Sequence, residues 1–346
     1  MTVPIIIINW NGITDTIECI ESLLKMSYTN YHIYLIDNGS DNQEGYILSQ
    51  NYADLDSLSV IRYDENFGFT KAHLKIWDDM LNKTEAPYIA LLNNDTAVEP
   101  DWLEELLNFA DVRKVDIVSS KMIDYTHRDL MDNAGHRMLN TGEIIPIGFS
   151  QPIADYTKPI ENVGACAGAC LYRTEMLQEI GFFDPYFTTG YEDAEFGLRA
   201  TISGYLCMYC PEAIVYHKRG ASIKKVFNRD YSIMIQTSIL YSYFKLVPTK
   251  NIVLSVPSII FKNISIPVID ILFQRWSYLY IWRKSWIEVF TIRKLILAKR
   301  KQFKRQIESR IGLWEFSTKT KFFLSFDLSR FWNIIILKKH SSLDSY

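Results

Sequence analysis

The segment Val3–Asn9 reads VPIIIIN, and the polar turn Trp10-Asn11-Gly12 follows it directly. A continuous apolar run rich in β-branched residues is typical of a parallel strand that is covered on both faces. Between residues 14 and 26 the apolar side chains then recur at helical spacing. The chain therefore opens with a strand and a helix, the unit from which α/β folds are built.

The same alternation continues along the next hundred residues. Further strands are predicted at residues 33–37, 58–63, 88–92 and 116–120, with helices at residues 69–81 and 101–110. Strands separated by helices indicate an α/β fold with a Rossmann-like, doubly wound, mainly parallel sheet. Later segments predict a hairpin turn at Asn140-Thr141-Gly142, helices at residues 174–180 and 192–203, and two short strands at residues 206–210 and 213–217.

Polar residues gather where four of the predicted strands end. The four segments are Asn9–Gly12, Asp37–Gly39, Asp64–Gly68 and Asn93–Asp95. Ligands of parallel sheets bind beyond the carboxyl ends of the strands, so four polar ends favour a site for a polar ligand. Asn, Asp and Gly also end strands simply because they form turns, and this alternative stays open here.

The ordered set of motifs resembles the family 2 glycosyltransferases. The motifs are Ile5–Gly12 (IIIINWNG), Ile36–Asp41 (IDNGSD), Asn66–Phe69 (NFGF), Leu91–Asp95 (LLNND), Gly190–Asp193 (GYED) and Val215–His217 (VYH). The resemblance covers residues 3–225 and is strongest to the rhamnosyltransferase-like branch that builds bacterial surface polysaccharides. It implies a GT-A fold and an inverting transfer of sugar from dTDP-rhamnose or a UDP-hexose to a saccharide acceptor, expected to be lipid-linked.

The segment Asn93-Asn94-Asp95 stands where the family carries its metal-binding acidic motif. A divalent cation neutralises diphosphate oxygens, and protein carboxylates hold such a cation together with those oxygens. Because the first acidic position is Asn93, the resemblance assigns Asp95 as a ligand of Mn²⁺ or Mg²⁺ and His217 as a second ligand. An imidazole ligand favours Mn²⁺. His217 stands in the pattern Tyr-His-x-x-Gly-x-Ser over residues 216–222, and its alternative role is structural.

Glu192 and Asp193 precede an apolar-periodic helix. Inverting transfer needs one carboxylate to take the proton of the acceptor hydroxyl. The resemblance assigns Asp193 as this base and Glu192 as its catalytic neighbour or an acceptor-binding group. The alternative is that both are charges that favour the first turn of a helix, and Glu195 lies one helical step away as a competing candidate.

The resemblance also assigns donor and acceptor contacts. Asp37 would accept a hydrogen bond from the pyrimidine ring, for which a charged acceptor is suited, or it would form an Asx turn. Gly168, within a run of small residues, is an expected acceptor contact or a tightly packed strand position. After Asn66–Phe69 the chain departs from the small residues usual in the family, and there Lys71 or His73 is expected to touch the diphosphate or to alter which sugar fits. The other expected donor-binding residues are Asn9, Asn11, Asn66, Gly68 and Asn94.

Charge divides the chain in two. Residues 1–220 carry 15 Lys and Arg against 33 Asp and Glu, whereas residues 221–346 carry 22 against 7. We therefore predict a catalytic domain over residues 1–225 and a basic, helical region over residues 226–346. Within this region, residues 277–311 predict an amphipathic helix with Trp and many cations, which is typical of an anchor on an anionic membrane surface.

Other roles for the basic region remain open. It could be a helical subdomain packed on the acidic front, or it could form an oligomer through its helices. The acidic front argues against nucleic acid as a partner. A transmembrane helix is not expected, because Lys262, Pro267 and Asp270 interrupt the apolar run that begins at residue 251.

An odd number of cysteines, five, and a start without a charged signal-peptide region predict a cytoplasmic protein, peripheral on the inner face of the cell membrane. Two rival functions are a nucleotidyltransferase acting on sugar phosphates and a non-catalytic sugar-nucleotide-binding or scaffold protein. The first would need a basic, glycine-rich loop after the first strand, which Asn9–Gly12 does not offer. The second function, a non-catalytic protein, is disfavoured because one chain retains all of the expected site residues Asp37, Asp95, Glu192, Asp193 and His217.

Overall fold

The computed structural model describes residues 2–219, 228–307 and 320–321. It forms two compact units, one of Met1–His136 with Pro146–Ser222 and the other of Arg137–Ile145 with Ile223–Tyr346. The predicted domain boundary at residue 225 lies outside the described residues, as do Gly220 and Ser222 of the motif around His217.

The first unit is built on a ten-stranded sheet. Its strands are β1 (Val3–Asn9), β2 (Tyr31–Asn38), β3 (Leu58–Tyr63), β4 (Tyr88–Leu92), β5 (Thr96–Val98), β6 (Ile117–Asp124), β7 (Met131–Asn133), β10 (Ile160–Glu161), β11 (Ala169–Arg173) and β12 (Cys207–His217). They run in the order β10-β12-β6-β11-β4-β1-β2-β3, with β5 paired to β12 and β7 paired to β6. Strands β1 to β4 pair in parallel, and β6 pairs in parallel with β12. The prediction of a mainly parallel α/β sheet is confirmed.

Helices cover both faces of this sheet. They are α1 (Ile13–Leu23), α2 (Glu44–Asn51), α3 (Gly68–Ile76, continued by a π-helical turn Trp77–Leu81), α4 (Trp102–Arg113), α5 (Thr174–Ile180) and α6 (Glu192–Ile202). Alternate residues of β4 enter different cores, because successive side chains of a strand point to opposite faces. Ala90 packs with residues of α1 and α4, whereas Leu91 packs with residues of α3, α5 and α6.

Two features of the sheet differ from the predictions. The small-residue segment ends in strand β11, which runs antiparallel between β4 and β6. The two short strands predicted at residues 206–210 and 213–217 are one strand, β12, whose pairing with β6 shifts register between Tyr209 and Ile214. That irregularity is a bulge, and the turn-like sequence around Pro211 reflects it.

The second unit is mostly helical. It contains α7 (Arg229–Leu246), α8 (Thr249–Leu272), α9 (Trp276–Thr291) and α10 (Arg293–Ile307), together with a small sheet of β8 (His136–Leu139), β9 (Ile144–Pro146) and β13 (Thr320–Lys321). The predicted hairpin turn joins β8 to β9, and Gly142 has the positive φ of 96° that such a turn favours. The helix predicted over residues 277–311 is two helices that meet at Ile292, and residues 308–311 lie outside the described residues.

Part of the face expected to meet a membrane lies inside the second unit. Val289, Ile296 and Phe303 are buried, and Arg300 of α10 donates to the carbonyls of Phe244 and Val247 in and after α7. Hydrogen bonds and buried apolar residues on one side of α9 and α10 are typical of a helical bundle. These three side chains therefore do not face lipid.

Helix α8 is continuous through Lys262, Pro267 and Asp270, where the sequence predicted interruption. Within the described residues it is the one helix long and apolar enough to cross a membrane. This finding rests on length and composition alone.

Candidate active site

His217 lies between two carboxylates in the first unit. Its Nε2 is 3.3 Å from Oδ1 of Asp95, and its Nδ1 is 2.5 Å from Oδ2 of Asp132. Strand β12 carries His217 beside Thr96, the residue after Asp95, and β7 brings in Asp132. The other oxygen of Asp132 forms an ion pair with Arg219. The structure thus brings the two predicted metal ligands together and adds a carboxylate behind the imidazole.

The three groups control each other's protonation. Burial opposes a charged imidazole, but Asp95 and Asp132 outweigh it and raise the pKa of His217 to about 10. Burial likewise favours neutral carboxyl groups, yet the His217 charge holds the pKa of Asp95 and of Asp132 below their usual values. In this state His217 donates from both ring nitrogens.

The chemistry of Asp95 and His217 would suit a divalent cation. The Asp132 contact keeps Nδ1 of His217 occupied, so Nε2 and the Asp95 carboxylate are the atoms that face each other. A cation here would replace the Nε2 proton. Within the described residues no group of three or more His, Cys, Asp or Glu forms a metal site by itself. Phosphate and water oxygens would complete the coordination, as they do at many magnesium sites.

Asp193 lies at the start of α6 and is held by backbone donors. Its Oδ2 accepts from the amide of Ala167 at 3.1 Å, and its Oδ1 accepts from the amide of Ala194 at 2.7 Å. Helix α6 reaches this position because Gly197 packs directly on Gly164: a Cβ built on Gly197 would lie 2.4 Å from the Gly164 Cα. Two glycines thus allow the backbone contact that aims Asp193 at the 164–168 loop.

Glu192 is buried beside Asp193, and its Oε2 lies 3.5 Å from the hydroxyl of Thr70. Burial, and then the negative charge of Asp193, raise the pKa of Glu192 to about 8. Glu192 therefore tends to stay protonated at neutral pH. Glu195 is fully buried in an ion pair with Arg199 at 3.2 Å, which removes it as a competing catalytic base.

The loop before β11 contacts both Asp193 and the segment that leads to Asp95. The amide of Asn93 donates to the carbonyl of Gly168 at 2.8 Å, one residue from the amide that holds Asp193. Burial, and then the charges of Asp193 and Asp132, raise the pKa of the Cys166 thiol. The backbone of Asn93, two residues before Asp95, and the carboxylate of Asp193 therefore both contact the short stretch Cys166–Gly168.

Asp37 is fixed at the end of β2. Asn9, which is fully buried, donates from Nδ2 to Oδ1 of Asp37 at 2.9 Å and to Oε2 of Glu44 at 3.0 Å. Helix α2 packs closely against the same carboxylate at Gly45, where an added Cβ would lie 2.3 Å from Oδ2 of Asp37. Asn9 is thus placed to orient Asp37, whereas its burial keeps it from a direct donor contact.

The other predicted donor contacts lie at neighbouring strand ends. Asn94 donates to Thr16, whose hydroxyl donates to Asn9, so the ends of β1 and β4 are joined. Asn11 exchanges hydrogen bonds with Asp41 across the β1 and β2 ends.

The Asn66–Gly68 loop contacts two other segments, at Asn38 and at Thr188. Asn66 accepts from Asn38 at 2.9 Å. Gly68 has a φ of 75°, and a Cβ there would meet the Thr188 carbonyl at 2.9 Å. Lys71 is exposed on α3, but His73 is buried against Phe69 and Phe183, and burial lowers its pKa to about 4. The prediction that His73 reaches the diphosphate is therefore wrong.

Comparison with known proteins identifies the family. The model of glycosyl transferase family 2 matches residues 5–181, which is half of the chain. The chain belongs to glycosyl transferase family 2. It is 25% identical over 212 residues to the O-antigen biosynthesis protein RfbC of Myxococcus xanthus, covering 59% of this chain and 16% of that protein. The glycosyltransferase AglE of Haloferax volcanii is 22% identical over 230 residues, covering 65% of this chain and 70% of AglE.

Solved structures agree on the fold. GalNAc-T7 with UDP, GalNAc and Mn²⁺ matches with a TM-score of 0.55 at 15% identity, over 71% of this chain and 48% of that chain. TarS 1-349 of S. aureus in complex with UDP-GlcNAc matches with a TM-score of 0.52 at 16% identity, over 72% and 68%. This family 2 chain therefore has the GT-A fold, as predicted. It spans less than two thirds of the length of several relatives, including RfbC and GalNAc-T7.

The motifs of this family 2 chain did not contain every residue of the site. Asp132 and Arg219 were missed, and so were Glu44, Thr16 and Thr188, which support the predicted residues. Asp132 lies 85 positions from His217, so only the fold joins them. For Glu44, an acidic residue soon after the Asn38–Asn42 turn was the available signal.

Proposed function

We propose that this chain is a metal-dependent, inverting glycosyltransferase that moves a rhamnosyl or hexosyl group from a nucleoside-diphosphate sugar to a saccharide acceptor. The observation that carries the proposal is that the Cys166–Gly168 stretch contacts both Asp193 and the segment that leads to Asp95. The Ala167 amide holds Asp193, the Gly168 carbonyl accepts from Asn93, and Asp95 faces His217.

The proposed reaction is a single displacement. The acceptor hydroxyl oxygen bonds to C1 of the donor sugar while the bond from C1 to the diphosphate oxygen breaks. The hydroxyl proton passes to the Asp193 carboxylate, and the electron pair leaves with the nucleoside diphosphate. One displacement inverts the anomeric centre.

Each cluster has its own task in this reaction. Asp95 and His217 would hold Mn²⁺ or Mg²⁺, which when bound stabilises the negative charge of the departing diphosphate. Asp37, fixed by Asn9 and Gly45, would accept from the pyrimidine base. Glu192, whose pKa is raised by burial and by the charge of Asp193, would donate a hydrogen bond to the acceptor or donor sugar.

Relatives support the substrate class. One is named for O-antigen biosynthesis, and two structural neighbours hold UDP or UDP-GlcNAc. These names support the assembly of a surface polysaccharide. That the acceptor is lipid-linked and lies at the cytoplasmic face of the membrane is part of our proposal and rests on the sequence motifs and the basic region.

A donor-hydrolysis screen tests the proposal. The full chain is incubated with dTDP-rhamnose and a panel of UDP-hexoses in Mn²⁺ or Mg²⁺, and release of nucleoside diphosphate is measured. We expect release from at least one donor and its loss on chelation. Release from none of them, together with cleavage of a nucleoside triphosphate in the presence of a sugar phosphate, would instead favour a nucleotidyltransferase.

The Asp193→Asn variant tests the base. General-base catalysis contributes about 10²–10⁴ in rate, so transfer to the acceptor should fall by about that factor with donor affinity unchanged. Glu175→Gln is the matched control, because Glu175 is an exposed acid in the first turn of α5 and carries the same helix-terminus charge effect. Near-full transfer by Asp193→Asn, or an equal loss in the control, would reject Asp193 as the base.

A further inference from the structure

Helix α8 presents its large apolar side chains to the outside of the second unit. We define the α8 outer face as the exposed residues Val253, Leu254, Ile260, Phe261, Ile264, Val268, Ile271 and Leu272. They form two adjacent rows, 253-260-264-271 and 254-261-268-272, in which neighbours are four or seven residues apart, so together they form one stripe along the helix. Leu254, Ile264 and Leu272 are 67%, 61% and 71% exposed, so the stripe is open from one end to the other.

The polar side chains of α8 face the opposite way. Lys262 forms an ion pair with Glu143, and Asp270 is buried in an ion pair with Arg275. Asn263 accepts from the indole nitrogens of two tryptophans of α9, Trp282 at 2.9 Å and Trp286 at 2.8 Å. Ser258 accepts from Asn140 at 3.0 Å. Two of the residues that interrupt the apolar run, Lys262 and Asp270, therefore have charged partners within the unit itself.

This arrangement is the reverse of a water-facing helix, which buries its apolar stripe and exposes its polar residues. A contiguous apolar stripe of this length on a surface marks an interaction site. We infer that the α8 outer face inserts into an anionic lipid bilayer, with the helix lying in the plane of the membrane. The inference goes beyond the proposed transfer reaction and assigns the segment that would contact lipid.

Charge favours lipid over a second copy of the chain. Residues 221–346 carry 22 Lys and Arg against 7 Asp and Glu. Two copies joined through α8 would bring two such basic regions together, whereas an anionic leaflet attracts them. Exposed aromatic residues follow the stripe, with Phe273 and Trp276 more than half exposed, and such side chains favour the membrane interface.

The ion pairs on the polar side of α8 indicate whether the helix lies in the plane of the membrane or spans it. A helix of this length, about 36 Å, could reach across a bilayer. Spanning would carry the Lys262–Glu143 and Asp270–Arg275 pairs and the second unit behind them into hydrocarbon, which is costly for charged groups. Lying in the plane inserts only the outer face and leaves these contacts in place.

Vesicle flotation with the full chain tests the inference. The variant Leu254→Glu/Ile264→Glu places two charges on the outer face, and Val112→Glu is the matched control at an exposed apolar residue of α4. With vesicles of phosphatidylcholine and phosphatidylglycerol, we expect the double variant to bind about tenfold more weakly or worse, and the control to bind as the wild type does.

Two further readouts separate the possible outcomes. Donor hydrolysis and melting temperature should be unchanged in the double variant, so a lost activity in every variant would count against the proposed reaction and not against this inference. Equal flotation of all variants would overturn the inference. So would a wild-type dimer in solution that ignores vesicles and dissociates in the double variant, because the occupant would then be a second copy.

Discussion

At the scale of residues, the carboxylate of Asp132 orients the imidazole of His217. Asp132 accepts from Nδ1 at 2.5 Å and is itself paired with Arg219, which leaves Nε2 directed at Asp95. Carboxylates that hold a ligating histidine in this way typically contribute 10- to 100-fold to metal affinity. Asp132 is thus a positioning residue for the proposed metal site.

We predict that Asp132→Asn weakens Mn²⁺ binding in the presence of UDP by about tenfold or more. The amide oxygen still accepts from Nδ1, but the charge that balances the histidine is lost. Free Mn²⁺ measured by electron paramagnetic resonance gives the dissociation constant, and Asp132→Glu should recover part of the affinity.

Asp129→Asn serves as the control for this prediction, because Asp129 is an exposed carboxylate of the same segment. Asp95→Asn marks the loss of a direct ligand. If Asp95→Asn weakens Mn²⁺ binding and Asp132→Asn does not, the positioning role is wrong while the metal site stands.

Glu192 gives the site a pH-dependent cost in stability. Its pKa in the folded chain is about 8, against 4.5 for an unperturbed glutamate. The folded state therefore holds this proton more tightly than the unfolded state. Stability from this group is full below about pH 4.5, falls as the pH rises towards 8, and changes no further above that.

Glu192→Gln cannot ionise, so we predict that it is more stable than the wild type at pH 8 by about 1–3 kcal/mol, and close to it at pH 4.5. Thermal melting at the two pH values measures the difference. The exposed Glu175→Gln should shift neither value. A stability difference for Glu192→Gln that is the same at both pH values would contradict the assigned cause.

At the scale of elements, the contact between α6 and the 163–164 segment sets where the base lies. A Cβ on Gly197 would lie 2.4 Å from the Gly164 Cα and 2.6 Å from the Val163 carbonyl oxygen. These are backbone atoms, so the helix has to move to make room. Overpacking of this kind typically costs about 1–3 kcal/mol.

We predict that Gly197→Ala lowers both the melting temperature and the transfer rate, because a shifted α6 stretches the hydrogen bond from Ala167 to Asp193. Donor affinity should change less, since Asp37 and Asp95 lie on other elements. Thr201→Ala, in the same helix, removes volume without entering this contact and is the comparison. Unchanged transfer by Gly197→Ala would show that the position of α6 does not limit the reaction.

The elements that the sequence predicted well are those whose pattern is local. Strands β1, β3 and β4 and helix α5 have the predicted bounds, because each is an apolar or periodic run between turn residues. For strand β11 the sequence allowed either a strand or a substrate contact. The residues that lead into it are a run of small side chains, which do not alternate between apolar and polar. Helix α2 was missed because it has few apolar positions to form a period.

The site residues differ in the same respect: those that lie in a local motif were predicted, and those that depend on the fold were not. Asp95, Asp193 and His217 were predicted because each sits in a short motif. The fold brings Asp95 to His217, and the loop that holds Asp193 contacts Asn93. Asp132 sits in no motif and depends on the pairing of β7 with β6. The apolar face of α8 was hidden in the same way, because the partners of Lys262 and Asp270 are set by folding.

At the scale of the whole molecule, an anionic surface acts differently on the acidic residues 1–220 and on the basic residues 221–346. The first part carries a net charge of −18 and the second +15. An anionic membrane therefore attracts only the second part and repels the first. Attraction of this kind is screened by salt, whereas burial of apolar side chains in lipid is not.

This difference predicts how salt changes vesicle binding. Raising NaCl from about 0.05 M to about 0.5 M shortens the Debye length from roughly 14 Å to roughly 4 Å, so affinity of the wild type for anionic vesicles should fall by about tenfold or more. Binding to neutral phosphatidylcholine vesicles should be weaker and nearly independent of salt, because only the α8 outer face contributes. The Leu254→Glu/Ile264→Glu variant should lose this salt-independent part. Affinity for anionic vesicles that does not change with salt would mean that the charge of residues 221–346 does not face the membrane.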